Sequence, residues 1–356
     1  MRKRKNKNTM KILIRSKSIL VILWAISLVG CSTDEQAPDV RHIDASFEWV
    51  RFDQALMQLD TARFELALTE LVNQYPSFSE IYFERILRLP IDSSRQIQSL
   101  LQSEALRALN DSIQLRFSET EDIQKQLTEA FRFYKYYFPE EEAPNVYTSC
   151  TEFSVGAFLF TDTLRQDSLK DALGISLEFF LGKGFPYLRL GRAGQSTFSA
   201  YMTRTFNKDH LVRKAIQVLV EDQFQTLRDN RLIDFMIQNG AQLVILDHLL
   251  PQMADTVLFE CTPAQLEWCQ NNELQIWAHL IDRDLLYSRR MADIATLIRP
   301  APSSAGMPAE SPGQTANYIG YKIVKAYMEQ TGAEVKDLVQ LRDAQEVLTR
   351  SKYKAR

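Results

Sequence analysis

The chain has 356 residues, of which 45% are hydrophobic and 24% are charged, with only 12 Gly and 12 Pro. This composition excludes a disordered, collagen-like or disulfide-scaffold protein, because it supplies enough apolar side chains for a packed core. The formal net charge is −3, from 42 Lys and Arg against 45 Asp and Glu, which argues against nucleic acid as the main partner. Residues 1–30 contain eight of the cations and no acid, so the rest carries 34 cations against 45 acids, a net charge of −11.

The first 30 residues have the pattern of a secretion signal. A basic stretch is followed by the apolar residues 19–29, a run too short for a membrane-spanning helix of about 20 residues. The run ends in Leu28-Val29-Gly30-Cys31, which resembles a bacterial lipobox. This resemblance implies cleavage between Gly30 and Cys31 and acylation of Cys31, with palmitate as a typical chain. The alternatives are an ordinary signal peptide with an incidental Cys and an uncleaved anchor.

The residues after the lipobox predict where the anchor lies. Residues 31–41 are interpreted as the acylated cysteine and a polar tether. Ser32, not Asp, follows Cys31, and the resemblance to lipoprotein sorting signals therefore favours the periplasmic face of the outer membrane. The inner membrane and, from the acidic pair Asp34-Glu35, the cell surface are the alternatives. Acyl chains contribute about 0.8 kcal/mol per buried methylene, so they are predicted to attach the acidic body to the membrane.

The mature sequence predicts an α+β fold that is predominantly helical, with a small, mostly antiparallel sheet in the middle. Residues 42–139 have helical spacing and are predicted to form an N-terminal helical subdomain. Residues 140–356 are predicted to form an α+β subdomain that packs with the first as one unit. The first helical face is predicted from Phe47, Val50, Ala55, Leu56 and Leu59.

Strands are predicted only in the middle of the chain. Residues 145–153 and 155–160 are β-branched and aromatic. From Leu173, apolar residues alternate with Gly174, Ser176 and Glu178, which is the period expected of a half-buried strand. Helical stripes return along residues 212–227 and 232–250, and these predict two long helices.

No motif in the sequence indicates catalysis or a cofactor. None of the four histidines, His42, His210, His248 and His279, lies within four residues of another, so a His-x-x-x-His zinc pair is absent. Neither a P-loop nor a dinucleotide-binding glycine pattern occurs. The cysteines after the lipobox are odd in number and lack C-x-x-C spacing. Buried free thiols are therefore expected, with a disulfide between Cys261 and Cys269 as the alternative.

Several segments, taken in order, resemble the gliding-motility lipoprotein GldB family. The resemblance spans nearly all of the mature chain and includes a lipobox in the expected place. It implies a membrane lipoprotein that is needed for surface gliding, a process tied to type IX protein secretion, and it implies a non-catalytic role. The segments are residues 75–78, 173–178, 181–187, 232–240, 267–269, 272–273, 311–313 and 319–324.

A more distant likeness, to zinc-dependent peptidases of the zincin type, bears on catalysis. Residues 218–240 and 319–321 resemble parts of these enzymes, in which HExxH is followed by a carboxylate that precedes a Gly. Here the first motif reads Val-Glu-Asp-Gln-Phe, and amides replace the later carboxylate. Because a zinc site needs about three protein ligands, the likeness implies a degenerate zincin-like scaffold without a metal. The degenerate positions are Val220, Glu221, Phe224, Gln238 and Asn239.

Two hypotheses about function follow. The first is a membrane-anchored, non-enzymatic component of the gliding and type IX secretion machinery that works through protein–protein contacts. Its predicted partners are the membrane, through the acyl chains on Cys31, and other proteins of that machinery; no nucleic acid, small-molecule substrate or cofactor is expected. The alternative is a periplasmic or surface hydrolase, peptidase-like, whose catalytic residues converge only in space. That alternative predicts a cleft with perturbed pKa values near Glu221 or His210.

Overall fold

Helices make up most of the structure, a computed structural model that describes residues 37–162, 170–190, 197–225 and 229–356. Gly30, Cys31 and most of the tether lie outside the described residues. Residues Val40–Arg356 form one compact unit. In chain order the α-helices are α1 (Phe52–Met57), α2 (Phe64–Gln74), α3 (Pro76–Glu80), α4 (Ser94–Leu101), α5 (Glu104–Arg116), α6 (Glu121–Tyr137), α7 (Ala200–Thr203), α8 (Lys208–Asp222), α9 (Leu232–Leu249), α10 (Asp255–Leu258), α11 (Pro263–Asn271), α12 (Glu273–Asp282), α13 (Met291–Ile298), α14 (Thr315–Thr331) and α15 (Ala344–Ser351).

The predominantly helical α+β class is confirmed, but the prediction of a mostly antiparallel sheet is wrong. The strands are β1 (Trp49–Arg51), β2 (Asn145–Ser149), β3 (Ala157–Asp162) and β4 (Lys170–Ser176), in the order β1-β2-β4-β3. The β1–β2 and β2–β4 pairs are parallel, and only the β3–β4 pair is antiparallel. The chain reaches the far edge of the sheet with β3 and then returns with β4 to the centre, which makes β4 parallel to β2.

The sheet also extends into the part of the chain that was predicted to be helical. Val50, expected on the first helical face, lies in β1 and pairs with Tyr147 of β2. The helix begins only at Phe52, which is fully buried. A strand of three residues is too short to show a period of two, so the neighbouring apolar residues gave it a helical appearance.

The central strand β4 is buried on both faces, and the prediction of a half-buried strand is therefore wrong. Its last five residues, from Ala172 to Ser176, are all buried. The ring of Phe158, the residue paired with Gly174 on β3, covers Gly174 so closely that a Cβ there would lie 2.2 Å from it and would require the ring to move. The predicted polar face is thus covered, as is usual for interior strands with parallel neighbours.

Two long helices, α9 and α14, cross at a pair of glycines. A Cβ on Gly240 would lie 2.2 Å from the backbone carbon of Gly320, and a Cβ on Gly320 would lie 1.9 Å from the carbonyl oxygen of Met236. The two backbones therefore approach each other more closely than any side chain permits. Helix α9 is buried along most of its length, as the stripe along residues 232–250 predicts for a core helix.

The three cysteines that the structure describes are buried and unpaired: Cys150, Cys261 and Cys269. The expectation of free thiols is confirmed, and the alternative Cys261–Cys269 disulfide does not form. Burial raises the pKa of Cys261 to about 11 and that of Cys269 to about 12, so both thiols remain protonated at neutral pH.

Candidate functional site

A buried carboxyl group lies directly after β4. Glu178 belongs to the short 3-10 helix Leu177–Phe180, and its side chain is fully buried. Its Oε1 accepts hydrogen bonds from the backbone N–H groups of Thr151 at 2.7 Å and Phe153 at 3.1 Å, and from the Thr151 hydroxyl at 2.8 Å. Its Oε2 has no hydrogen-bond partner among the described residues. Burial raises the pKa of Glu178 to about 7, although these hydrogen bonds act in the opposite direction.

Replacing Glu178 by Gln is expected to remove a pH dependence of stability. The folded-state pKa of about 7 lies above the ordinary value of 4.5, so the folded state binds the proton more tightly than the unfolded state. The resulting stabilisation is fully present below pH 4.5 and is lost as the pH rises through about 7, up to about 3 kcal/mol in all. Denaturant unfolding at pH 5 and pH 8 measures the difference, with the exposed Glu267→Gln as control. If the Glu178→Gln variant had the same pH dependence of stability as the wild type, the raised pKa of Glu178 would be contradicted.

A cavity of about 260 Å³ lies beside helix α8. Lys214, Gln217 and Glu221 of this helix line it, and their spacing of three and four residues places them on one helix face. Further lining comes from Gly156 and Ala157 at the start of β3, from Phe179 and Phe180 after β4, and from Thr205, Phe206 and Val218. The cavity is therefore partly aromatic and partly charged, and we call it the α8 cavity.

Two cations pair with one buried carboxylate next to the α8 cavity, and a third contacts the backbone of the same residue. Glu260 Oε1 lies 3.0 Å from Arg213 Nη1 and 2.5 Å from Lys214 Nζ, and the Arg204 guanidinium donates to the backbone carbonyl of Glu260. Burial alone would raise the pKa of Glu260, but the charges of Arg213 and Lys214 lower it to about 2. Burial lowers the pKa of His210 to about 4. At neutral pH Glu260 is therefore ionised, His210 is neutral, and the cluster has an excess of positive charge.

A larger cavity, of about 420 Å³, lies at the N-terminal ends of α9 and α15. Arg231 and Asp234 line it and pair with each other, with Arg231 Nη2 at 2.7 Å from Asp234 Oδ1. Asp229 adds a second carboxylate, 3.6 Å from the Arg231 guanidinium, and Arg342 and Asp343 contribute one charge of each sign. The charges of this cavity nearly cancel.

The degenerate metal-site positions do not meet at one centre. Glu221 lines the α8 cavity, whereas Phe224 and Gln238 line the larger one. Val220 is buried, and the side-chain amide of Asn239 donates to an asparagine of α14 at 2.9 Å. Within the described ranges, no three or more His, Cys, Asp or Glu side chains are grouped as a metal site requires. The zincin-like aspect of the predicted fold receives no support from this geometry.

Sequence reasoning singled out Glu221 and His210 but missed Lys214, Glu260 and the burial of Glu178. Arg213 and Glu260, which form an ion pair, are 47 residues apart. No local period connects them, so the sequence contains no signal for the pair. Glu178 does lie in a segment that resembles the GldB family, and that is the one signal that could have drawn attention to it.

A comparison with models of protein families gives the class of the protein. The chain matches the model described as gliding motility protein GldB over residues 33–355. The class is that of lipoproteins associated with gliding motility and with the membranes of the cell envelope. Because the match covers far more than half of the chain, this protein belongs to the GldB family. No curated protein and no solved structure matches the chain.

None of the helices in the described part of the chain is both long enough and apolar enough to cross a bilayer.

Proposed function

We propose that this protein is a lipid-anchored, non-catalytic component of the gliding-motility and type IX secretion machinery that acts through protein–protein contacts. The observation that carries the proposal is the GldB match, which begins at residue 33, just after Cys31, and ends at residue 355. A chain that matches its family over the entire folded part is expected to share the family's role. The acyl chains on Cys31 hold the protein at the periplasmic face of the outer membrane.

The surroundings of Glu221 support a non-catalytic role. Glu221 is exposed, and its Oε1 accepts a hydrogen bond of 2.5 Å from Gln217, one turn earlier on α8. Of the two amides that replace the later carboxylate of zincins, Gln238 lines the other cavity and Asn239 donates to Asn317. A metal-dependent peptidase brings about three ligands and a water to one point, whereas the hydrogen-bond partner of Glu221 is an amide.

The alternative function, a lipoprotein hydrolase, has one observation in its favour. The α8 cavity lies at Glu221, and the perturbed pKa values of His210 and Glu260 belong to groups close to it. Such groups are typical of reactive sites, although structural ion pairs produce the same shifts.

Complementation of a deletion strain tests the two functions together. The Cys31→Ser allele is expected to lose acylation, to leave the membrane fraction and to fail to restore colony spreading, because the anchor is removed while the folded unit is untouched. The Glu221→Gln allele is expected to restore spreading and secretion fully, because it keeps the size of the side chain and the role is non-catalytic.

Three results would contradict the proposal. Normal gliding and secretion in the deletion strain would contradict a role of the protein in the gliding and secretion machinery. Incorporation of labelled fatty acid into the Cys31→Ser protein would contradict acylation at Cys31. Loss of gliding in the Glu221→Gln strain, at wild-type protein level, would favour the hydrolase instead.

A further inference from the structure

The α8 cavity combines an apolar body with one accessible cation. Phe179, Phe180 and Phe206 give it an aromatic lining, and the rings of Phe179 and Phe206 are 5.2 Å apart in an edge-to-face arrangement. The cavity of about 260 Å³ is smaller than the pockets of about 300 to 1,000 Å³ that bind drug-sized ligands. Its volume suits one bulky side chain with the polar groups next to it.

The ammonium group of Lys214 pairs with Glu260, but it has three N–H donors and can bind a second anion as well. Arg213 is almost fully buried and pairs with Glu260, so Glu260 has a cationic partner without Lys214. The Lys214 side chain is 31% exposed and lines the cavity, so its ammonium remains accessible. The Arg204 guanidinium, which donates to the backbone carbonyl of Glu260, adds a further positive charge to this region.

Polar groups continue along the same helix face. Gln217 and Glu221 follow Lys214 at one and two turns, so Glu221 lies about 10 Å along the helix from Lys214. Gln217 Oε1 already accepts from the Arg213 guanidinium, and Glu221 Oε1 accepts from the Gln217 amide. Each of these oxygens has a second lone pair that can accept an N–H of a ligand. The cavity therefore offers, in order along α8, a partner for a carboxylate and then acceptors for N–H donors.

We propose that the α8 cavity binds a carboxylate that is attached to an aromatic or branched apolar group and an acylated nitrogen, as in the C-terminal residue of a peptide or in a free N-acyl amino acid. Lys214 pairs with the carboxylate, the rings of Phe179 and Phe206 contact the apolar group, and Gln217 accepts from the N–H. The proposal does not depend on the role of the protein in motility.

Calorimetric titration of the full-length mature lipoprotein in detergent tests the proposal. N-acetylphenylalanine is the probe, and its uncharged amide is the matched control ligand. The acid is expected to bind about tenfold more tightly than the amide, because only the acid pairs with Lys214. Lys214→Met is expected to abolish this difference, whereas Lys183→Met, which removes an exposed lysine that does not line the cavity, is expected to retain it.

A second variant separates loss of the site from loss of the fold. Val218→Trp fills the cavity and is expected to abolish binding of both probes, and circular dichroism and thermal unfolding establish that each variant is folded. Equal affinity for the acid and the amide, or no binding of either at millimolar concentration, would overturn the proposal. So would wild-type discrimination between acid and amide in folded Lys214→Met.

A third arm distinguishes the two sources of this chemistry. A pentapeptide ending in a free Phe carboxylate that binds at least as tightly as N-acetylphenylalanine identifies a peptide C-terminus as the ligand. A pentapeptide that is excluded while N-acetylphenylalanine binds identifies a small N-acyl amino acid. Either result supports the site.

Discussion

Replacing Glu260 by Gln is expected to lower the free energy of unfolding by about 3 to 5 kcal/mol. Arg213 and Glu260 are both nearly fully buried, with side chains 6% and 7% exposed. The substitution keeps the shape of the side chain but leaves the Arg213 guanidinium in the interior without its counter-charge. Desolvation of a charge is tolerated only while a partner compensates it, so the variant loses more than a surface ion pair contributes.

Urea unfolding measures the effect, and Glu346→Gln is a suitable control. Glu346 pairs with Arg350 at 3.0 Å, but both side chains are at least half exposed, so a loss below about 1 kcal/mol is expected there. The pH dependence gives a second readout. The folded-state pKa of Glu260 is about 2, below the ordinary 4.5, so its stabilisation is present above pH 4.5 and is lost as the pH falls towards 2. Equal losses of unfolding free energy in the two variants would show that the buried ion pair contributes no more to stability than an exposed one.

Replacing Gly320 by Ala is expected to destabilise the protein by about 3 kcal/mol. A Cβ at this position would lie 1.9 Å from the carbonyl oxygen of Met236 and 2.7 Å from its carbonyl carbon. These are backbone atoms of α9 and cannot turn aside as a flexible side chain would. The two helices must move apart, which loosens the packing of the most buried helix of the described structure.

Gly184→Ala is the matched control, because a Cβ there meets no atom within 4 Å among the described residues. A change within about 0.5 kcal/mol is expected for it. Thermal or urea unfolding of both variants measures the difference, and near-ultraviolet circular dichroism reports whether the aromatic packing is retained. A Gly320→Ala protein as stable as Gly184→Ala would mean that α9 and α14 do not cross as closely as described.

The helices of the second half were predictable because their information is local. Apolar residues along 212–227 and 232–250 recur with the helical period. Helix α9 lies within the second stretch, whereas α8 begins four residues before the first stretch and ends five residues before its end. Each helix buries the face that its own sequence marks as apolar, so neighbours in the fold were not needed to place it.

The sheet and the charged cluster were not predictable because their information is distributed along the chain. Val50 is part of a strand only because Tyr147 lies beside it, and Glu178 is buried only because the loop containing Thr151 and Phe153 covers it. An alternating pattern gives the side of a strand on which a residue lies, but not whether another layer covers that side. Glu260 likewise has no feature in its own segment that identifies the cations around it.

The pairing of β1 with β2 affects how the chain folds after export. Glu48 and Asn145, which lie at the start of this pairing and are joined by a hydrogen bond of 3.0 Å, are 97 residues apart. Closing so long a loop costs chain entropy that is recovered only when the strands meet, so this part of the sheet is expected to form late. In a chain that is exported N-terminus first, β1 would emerge without its partner until β2 follows. About 100 residues would therefore cross the membrane before β1 and β2 could pair and oppose further translocation. Because β1 has only three residues, its exposed edge offers little template for aggregation during that delay.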